Sequence, residues 1–303
     1  MLKMSLEMEK RYPNISLFTD FFSNFLKYYS EVNYAKKNLL FPLDKIFFEK
    51  FKSRFNEVLF ILGTGESINL ITKKQWAFID SNRTIGINQW FVHEYIPNFL
   101  ICEGFRNNER RSDFAVWRDQ RLLHYLNTNI NVTLLAKDFR KSFFAKEILH
   151  LLDGKRAFAF PKFNIMGREY ESMIRAIKAL SRFGILDKLP FFSKATITQA
   201  IALGCLLGFK EIVLCGVDLN NGLNFWEATE YIKDFSKDAP PSLKRNRIHP
   251  TMDPRHTKVT VDKIIYSLND YFLKPRGVKL KVLSESSALH PEIEAYQIPT
   301  VNV

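Results

Sequence analysis

Short apolar runs that close on a glycine or a polar residue recur along the chain. EVLFILG (Glu57–Gly63), RTIGIN (Arg83–Asn88), PNFLICEG (Pro97–Gly104) and NVTLLAK (Asn131–Lys137) each predict a buried strand. RAFAFPK (Arg156–Lys162), EIVLCGVDL (Glu211–Leu219) and VKLKVLSES (Val278–Ser286) predict three more. Between them lie segments with apolar residues at helical spacing. LFTDFFSNFLKYYSEV (Leu17–Val32) predicts a helix, with Asn14 and Ser16 as capping candidates. A short helix is expected from Ser67 to about Trp76. A basic one is expected in RNNERRSDFAVWRDQRLLHYL (Arg106–Leu126), and another runs to about Leu152. REYESMIRAIKALSRFG is amphipathic and stops at Gly184. ITQAIALGCLLGF (Ile197–Phe209) is apolar on most faces and therefore buried. TVDKIIYSLNDYFLKPRG (Thr260–Gly277) is the last predicted helix.

Strands alternating with helices predict an α/β fold with a mostly parallel, Rossmann-like sheet flanked by helices. Residues 1–56 read as an N-terminal helical extension. Residues 57–303 read as one α/β domain. Within it, KDFSKDAPPSLKRNRIHPTMDPRHTK has neither helical nor strand period, which predicts a lid over about 227–256. In parallel sheets ligands bind beyond the carboxyl ends of the strands. That rule gathers Gly63–Ser67, Asn88, Glu103 and Asp218 onto one rim.

Composition narrows the partners. The chain has 303 residues, with Lys+Arg 44 against Asp+Glu 32 and a net charge of +12. Such a balance favours nucleic acid, phosphorylated substrates or an anionic membrane surface. No helix-turn-helix, zinc-finger or RNA-binding signature is present, so nucleic acid is not an expected partner. Three widely spaced cysteines predict a reducing compartment and no disulfide framework. The first residues lack an apolar signal core, and no run of about 18 apolar residues occurs. The expected location is the cytoplasm, with peripheral contact on the inner face of the cytoplasmic membrane.

Several residues are candidates for chemistry. Gly63 and Gly65 permit close backbone approach, and the amides of Thr64, Glu66 and Ser67 could meet a phosphate at the next helix's N-terminus. The same residues also make a plain strand-to-helix turn. Ile68 stands where a dinucleotide motif needs a small residue, and no Gly-Lys-Ser/Thr follows, which removes the Walker loop. Asn88 at a strand end can bind a base or ribose, or cap its own turn. Asp218 in LCGVDLNNG is either a ligand anchor or the start of an Asx-turn. His249 and His256 lie in the irregular segment. Arg255 and Lys258 beside His256 would keep its imidazole neutral near pH 7, and so able to act as a base. No Asp-x-Asp motif argues for a metal-bridged sugar nucleotide, and no Gly-x-Ser-x-Gly elbow occurs. No metal ligand set and no cofactor are expected.

Taken together, these motifs resemble the bacterial sialyltransferases of glycosyltransferase family 42, the Campylobacter and Haemophilus type. GTGES (Gly63–Ser67) matches the family's Gly-x-Gly-x-Ser turn after the first strand. Asn88-Gln89 matches its Asn-Gln pair. LLGFKEIVLCGVDL (Leu206–Leu219) and HTKVT (His256–Thr260) match two later stretches. The ordered match runs from Val58 to about Ser284. The resemblance implies a GT-A-like variant of the fold and a CMP-activated nonulosonic acid as donor. It implies metal-independent inverting transfer with His256 as general base. It also implies that Gly63, Thr64, Gly65 and Asn88 hold the nucleotide and that Thr196 lines the donor site; Ser67, Gln89 and Asp218, which lie in the matched stretches, are further candidates for binding it. Where the family has two phosphate-steadying tyrosines, this chain has Asn220 and, near the second, Phe225 or Trp226. Asn220, Asn221, Arg255 and Lys258 are the candidates to replace them. Glu103 stands near the family's asparagine after the third strand.

The expected function is transfer of a sialic-acid-like sugar from a CMP donor to a hydroxyl of a glycan or lipid-linked acceptor, as in capsule or lipooligosaccharide biosynthesis. A homo-oligomer is compatible with the N-terminal helix. Two other readings stay open. One is an ATP/Mg²⁺-dependent phosphotransferase resembling the archaeal 6-hydroxymethylpterin diphosphokinases. The other is a non-enzymatic protein that docks its basic face on a membrane or nucleic acid.

Overall fold

The computed structural model describes residues 13–37, 41–43, 45–53, 57–103, 113–137, 156–161, 163–165, 169–188, 191–192, 195–220, 223–227, 251–253, 255 and 257–299. In chain order these form α1 (Pro13–Lys37), β1 (Phe41–Pro42), α2 (Lys45–Phe51), β2 (Val58–Leu62), α3 (Lys73–Asp80), β3 (Arg83–Ile87) and β4 (Phe99–Glu103). Then come α4 (Asp113–Thr128), β5 (Thr133–Lys137), β6 (Ala157–Ala159), β7 (Phe163–Asn164), α5 (Tyr170–Arg182) and β8 (Phe191–Phe192). The last are α6 (Thr196–Leu206), β9 (Glu211–Cys215), α7 (Val261–Leu268) and β10 (Lys279–Val282). The helix expected to end near Leu152 lies outside the described residues, as does most of the lid expected at about 227–256.

Eight strands form one sheet in the order β1-β6-β5-β4-β3-β2-β9-β10, and all its pairings are parallel. β7 and β8 pair separately. The protein therefore has the expected α/β Rossmann-like fold. From β2 the chain steps outward through β3, β4, β5 and β6. It then returns to lay β9 against the other side of β2. This reversal is the topological switch point, where a crevice opens beyond the strand ends.

The central strands are buried on both faces, as a parallel sheet requires. In β2, Leu59 and Ile61 enter one core cluster, while Val58, Phe60 and Leu62 enter the other. The first core also receives α5, α6 and α7. The second receives Ile79 of α3 and Leu122, Tyr125 and Leu126 of α4. α6 is buried from Thr196 through Gly204, which accounts for its apolar residues on every side.

Three local features differ from expectation. The helix expected over Ser67–Trp76 is split. A 3-10 turn spans Glu66–Leu70, and α3 begins afresh at Lys73. The cause is a capping box: Thr72 Oγ1 accepts the Gln75 amide at 3.3 Å, and Gln75 Oε1 accepts the Thr72 amide at 2.8 Å. The helix predicted through Gly277 leaves α geometry after Leu268, continuing as a π turn and a 3-10 turn until Gly277 (φ 66°). The N-terminal segment is also not purely helical. β1 extends the main sheet beside β6, and Phe47 of α2 is fully buried in the core. Among the described residues no helix is long and apolar enough to cross a membrane.

Candidate functional site

β2 and β9 end side by side, and their following turns continue the ladder. Gly63 N donates to Cys215 O at 2.7 Å, and Gly65 N donates to Gly216 O at 2.8 Å. A side chain at Gly63 would strike the Gly216 carbonyl, and one at Gly65 would strike the Asp218 carboxylate. Both glycines are thus required by the packing of one turn on the other. The Asp218 carboxylate accepts the Ser67 amide at 2.9 Å and the Ser67 hydroxyl. The anion at the start of the 3-10 turn is therefore Asp218 itself. The amides of Gly63, Gly65 and Ser67 are all satisfied within the protein.

A cleft of about 100 Å³ opens beside this double turn. Its lining brings together Gly63, Thr64, Gly65, Asn88, Thr196 and Asp218, expected site residues from four separate stretches of the chain. Asn88 follows β3, and Thr196 opens α6. Val261 at the start of α7 and Thr251, whose carbonyl accepts the Val261 amide at 3.0 Å, close the cleft. The space suits a phosphate- or carboxylate-sized group, since a water takes about 30 Å³. Asp218 is the one titratable side chain among the described residues that line it.

Two non-glycine residues among the described ones have positive φ, Asn88 at 58° and Leu219 at 62°, and both line the cleft. Asn tolerates this region, but for leucine it costs on the order of 1–3 kcal/mol. Strain concentrated at a cleft marks a functional site. The Asn88 turn is held from behind: its amide donates to Ile101 O at 2.9 Å, and Cys102 Sγ donates to its carbonyl at 3.1 Å.

Other expected site residues sit elsewhere. Ser67 is buried behind the double turn as the partner of Asp218. Gln89 is half-buried and outside the cleft lining. Asn220 is exposed and donates to Ser286 O at 2.6 Å. Arg255 is exposed and forms a two-pronged pair with Asp253, with Nη2 at 2.7 Å and Nε at 2.9 Å. Lys258 is exposed and outside the lining. His256, His249 and Asn221 lie outside the described residues. Glu103 ends β4 on the same rim, but its carboxylate turns toward Lys137, 3.8 Å away.

The residue that sequence reasoning missed is Lys137. It ends β5 with its side chain fully buried, and its Nζ donates to Thr196 Oγ1 at 2.8 Å. Arg118 of α4 lies nearby, donating to the Glu103 carbonyl at 3.0 Å and pairing with Asp119 at 2.9 Å. Burial pushes the Arg118 guanidinium below its ordinary range, and Asp119 opposes that shift. Asn224 was missed as well. It accepts the Thr64 hydroxyl at 3.1 Å and bridges Gly65. The available signal was position: Lys137, like Asp218, is a charged residue closing an otherwise apolar strand segment.

Thiol chemistry is not favoured. Burial pushes Cys102 up to about 12 and Cys205 up to about 11, and Cys215 higher still. None supplies a thiolate near neutrality. A larger groove of about 810 Å³ lies between the 3-10 turn, α3 and Leu283–Pro299. It meets the cleft at Gly216. The switch-point cleft, which holds both positive-φ residues, is the better candidate site despite being smaller. No protein-family model matches the chain, and no curated protein does.

Proposed function

We propose that the chain is a glycosyltransferase that moves a sialic-acid-like, nonulosonic sugar from a CMP-activated donor to a hydroxyl of a glycan or lipid-linked acceptor. One observation carries this reading. The residues that the family 42 resemblance assigns to the donor, Gly63, Thr64, Gly65, Asn88 and Thr196, line a single cleft at the switch point together with Asp218. Parallel α/β sheets bind nucleotides at that place.

On this reading His256 takes the proton from the acceptor hydroxyl. The acceptor oxygen forms the new bond to the anomeric carbon from the face opposite the phosphate. The bond from that carbon to the CMP oxygen breaks, and CMP departs with the electron pair. Asn88 meets the nucleotide, and its turn, held by Ile101 and Cys102, fixes its amide before the donor arrives. Asp218 acts one step back, bracing the double turn through Ser67. The net charge of +12 suits an anionic donor and an acceptor at an anionic membrane surface.

Incubation with CMP-sugar donors and a lipid or glycan acceptor tests the proposal. CMP release coupled to acceptor mass gain is expected, and its absence with every CMP-sugar sinks the reading. His256→Ala is expected to bind CMP but lose transfer at least a hundredfold. Full transfer by that variant removes His256 from the mechanism. ATP/Mg²⁺-dependent stabilisation without any CMP effect would instead favour a phosphotransferase.

A further inference from the structure

We infer that Lys137 is a positioning residue that turns the Thr196 hydroxyl into a fixed hydrogen-bond donor, creating an anion subsite at the α6 end of the cleft. This deepens the donor-site reading and rests on it for the identity of the anion.

The chemistry follows from the donor inventory. A lysine ammonium carries three donors and no acceptor. The contact between Lys137 Nζ and Thr196 Oγ1 at 2.8 Å therefore has only one polarity: nitrogen donates, and the hydroxyl oxygen accepts. The hydroxyl hydrogen is left for an acceptor, and Thr196 lines the cleft. A cation donating to that oxygen also strengthens its O–H as a donor.

The charge distribution points the same way. The Lys137 side chain is 0% exposed, while the Glu103 carboxylate 3.8 Å away is 51% exposed. The described cleft lining holds an acid, Asp218, and no cationic side chain of its own. Lys137 supplies positive charge to the wall from behind, through Thr196. The ligand group that fits is an anionic oxygen. In a CMP-nonulosonate this is either the phosphate or the sugar carboxylate.

Binding of matched probe pairs to wild type, Lys137→Met, Lys137→Arg, Thr196→Val and the Lys137→Met/Thr196→Val double variant tests the assignment. CMP against cytidine reports the phosphate. Free sialic acid against its methyl ester reports the carboxylate. Inorganic phosphate serves as a probe that does not depend on the donor's identity. Wild type is expected to prefer the charged member of one pair at least tenfold. Lys137→Met should reduce that preference to threefold or less with little effect on the neutral member, and Lys137→Arg should restore part of it. A merely structural role would weaken both members alike. The double variant should be no worse than either single one.

An unchanged preference in Lys137→Met overturns the inference and leaves the donor-site reading standing. Phosphate binding that depends on Lys137 without any CMP or sialic acid binding upholds the subsite and removes the CMP reading. Failure of all probes to bind wild type removes both. Should Lys137→Met not fold, Thr196→Val carries the decision, because it removes the same hydroxyl without touching the buried charge.

Discussion

The Asp218 carboxylate grips both the backbone amide and the hydroxyl of Ser67, tying the turn after β9 to the 3-10 turn after β2. The two residues are 151 positions apart, so this pair closes the sheet's switch point rather than a local turn. Both side chains are buried. Removing the acceptor strands two donors away from water. Asp218→Ala is therefore expected to cost about 2–4 kcal/mol, and Ser67→Ala about 1–2 kcal/mol. Urea unfolding of the two variants and their combination checks this. The double variant should cost less than the sum, because both remove one interaction. Simple additivity would mean that the pair is not coupled.

Gly65 is expected to resist any side chain. A Cβ there meets the Asp218 carboxylate and approaches the Gly216 carbonyl oxygen to 2.8 Å. Gly65→Ala should destabilise by about 1–3 kcal/mol through overpacking. In an Asp218→Ala background the added cost should shrink but not vanish, since the Gly216 carbonyl remains. An equal cost in both backgrounds would show that the carboxylate does not set the glycine requirement.

Much of this architecture was legible because it repeats a simple physical pattern. β2 is apolar at every position and β9 at every position after Glu211, and each alternates its side chains between two cores. Short pairing segments left no such trace. β1 and β8 are two residues each, too short for any period. The break before α3 was written in the sequence as Thr72-x-x-Gln75, but the surrounding apolar pattern ran across it. In the site, Asn88 and Asp218 were found by their places at strand ends, and Thr196 through the family resemblance. Gln89, Asn220, Arg255 and Lys258 are chain neighbours of such positions whose side chains stay out of the cleft. Lys137 was missed because its meaning lies in a contact with Thr196, 59 residues later, which no local pattern carries.

The N-terminal segment should not be removable. β1 adds to the main sheet, and Phe47 is fully buried with ring centroids 4.8 Å from both Phe51 and Phe158. Phe47→Ala should cost about 3–5 kcal/mol. Deletion of residues 1–56 should abolish cooperative thermal unfolding, because it exposes the core face that α2 covers. A truncated chain that melts cooperatively near the wild-type temperature would make the segment a dispensable extension.

His93 gives the protein a pH-dependent stability with a definite sign. The ring stacks on Trp90 at 4.5 Å, and its Nδ1 accepts the Tyr95 amide at 2.9 Å. Burial pushes its pKa down to about 4. In the unfolded chain the value returns to about 6.5. Between those limits the unfolded state binds a proton that the folded state refuses, so stability rises with pH across the window. The contribution is complete above about pH 6.5 and is lost as pH falls toward 4, amounting to about 3 kcal/mol. His93→Asn keeps an acceptor for the Tyr95 amide but cannot be protonated. Its stability deficit at pH 7 should therefore shrink steadily as the pH is lowered, read as the difference in urea midpoints between the variant and wild type. A deficit that stays constant from pH 7 to pH 4.5 would show that His93 charges in the folded state as readily as in the unfolded one.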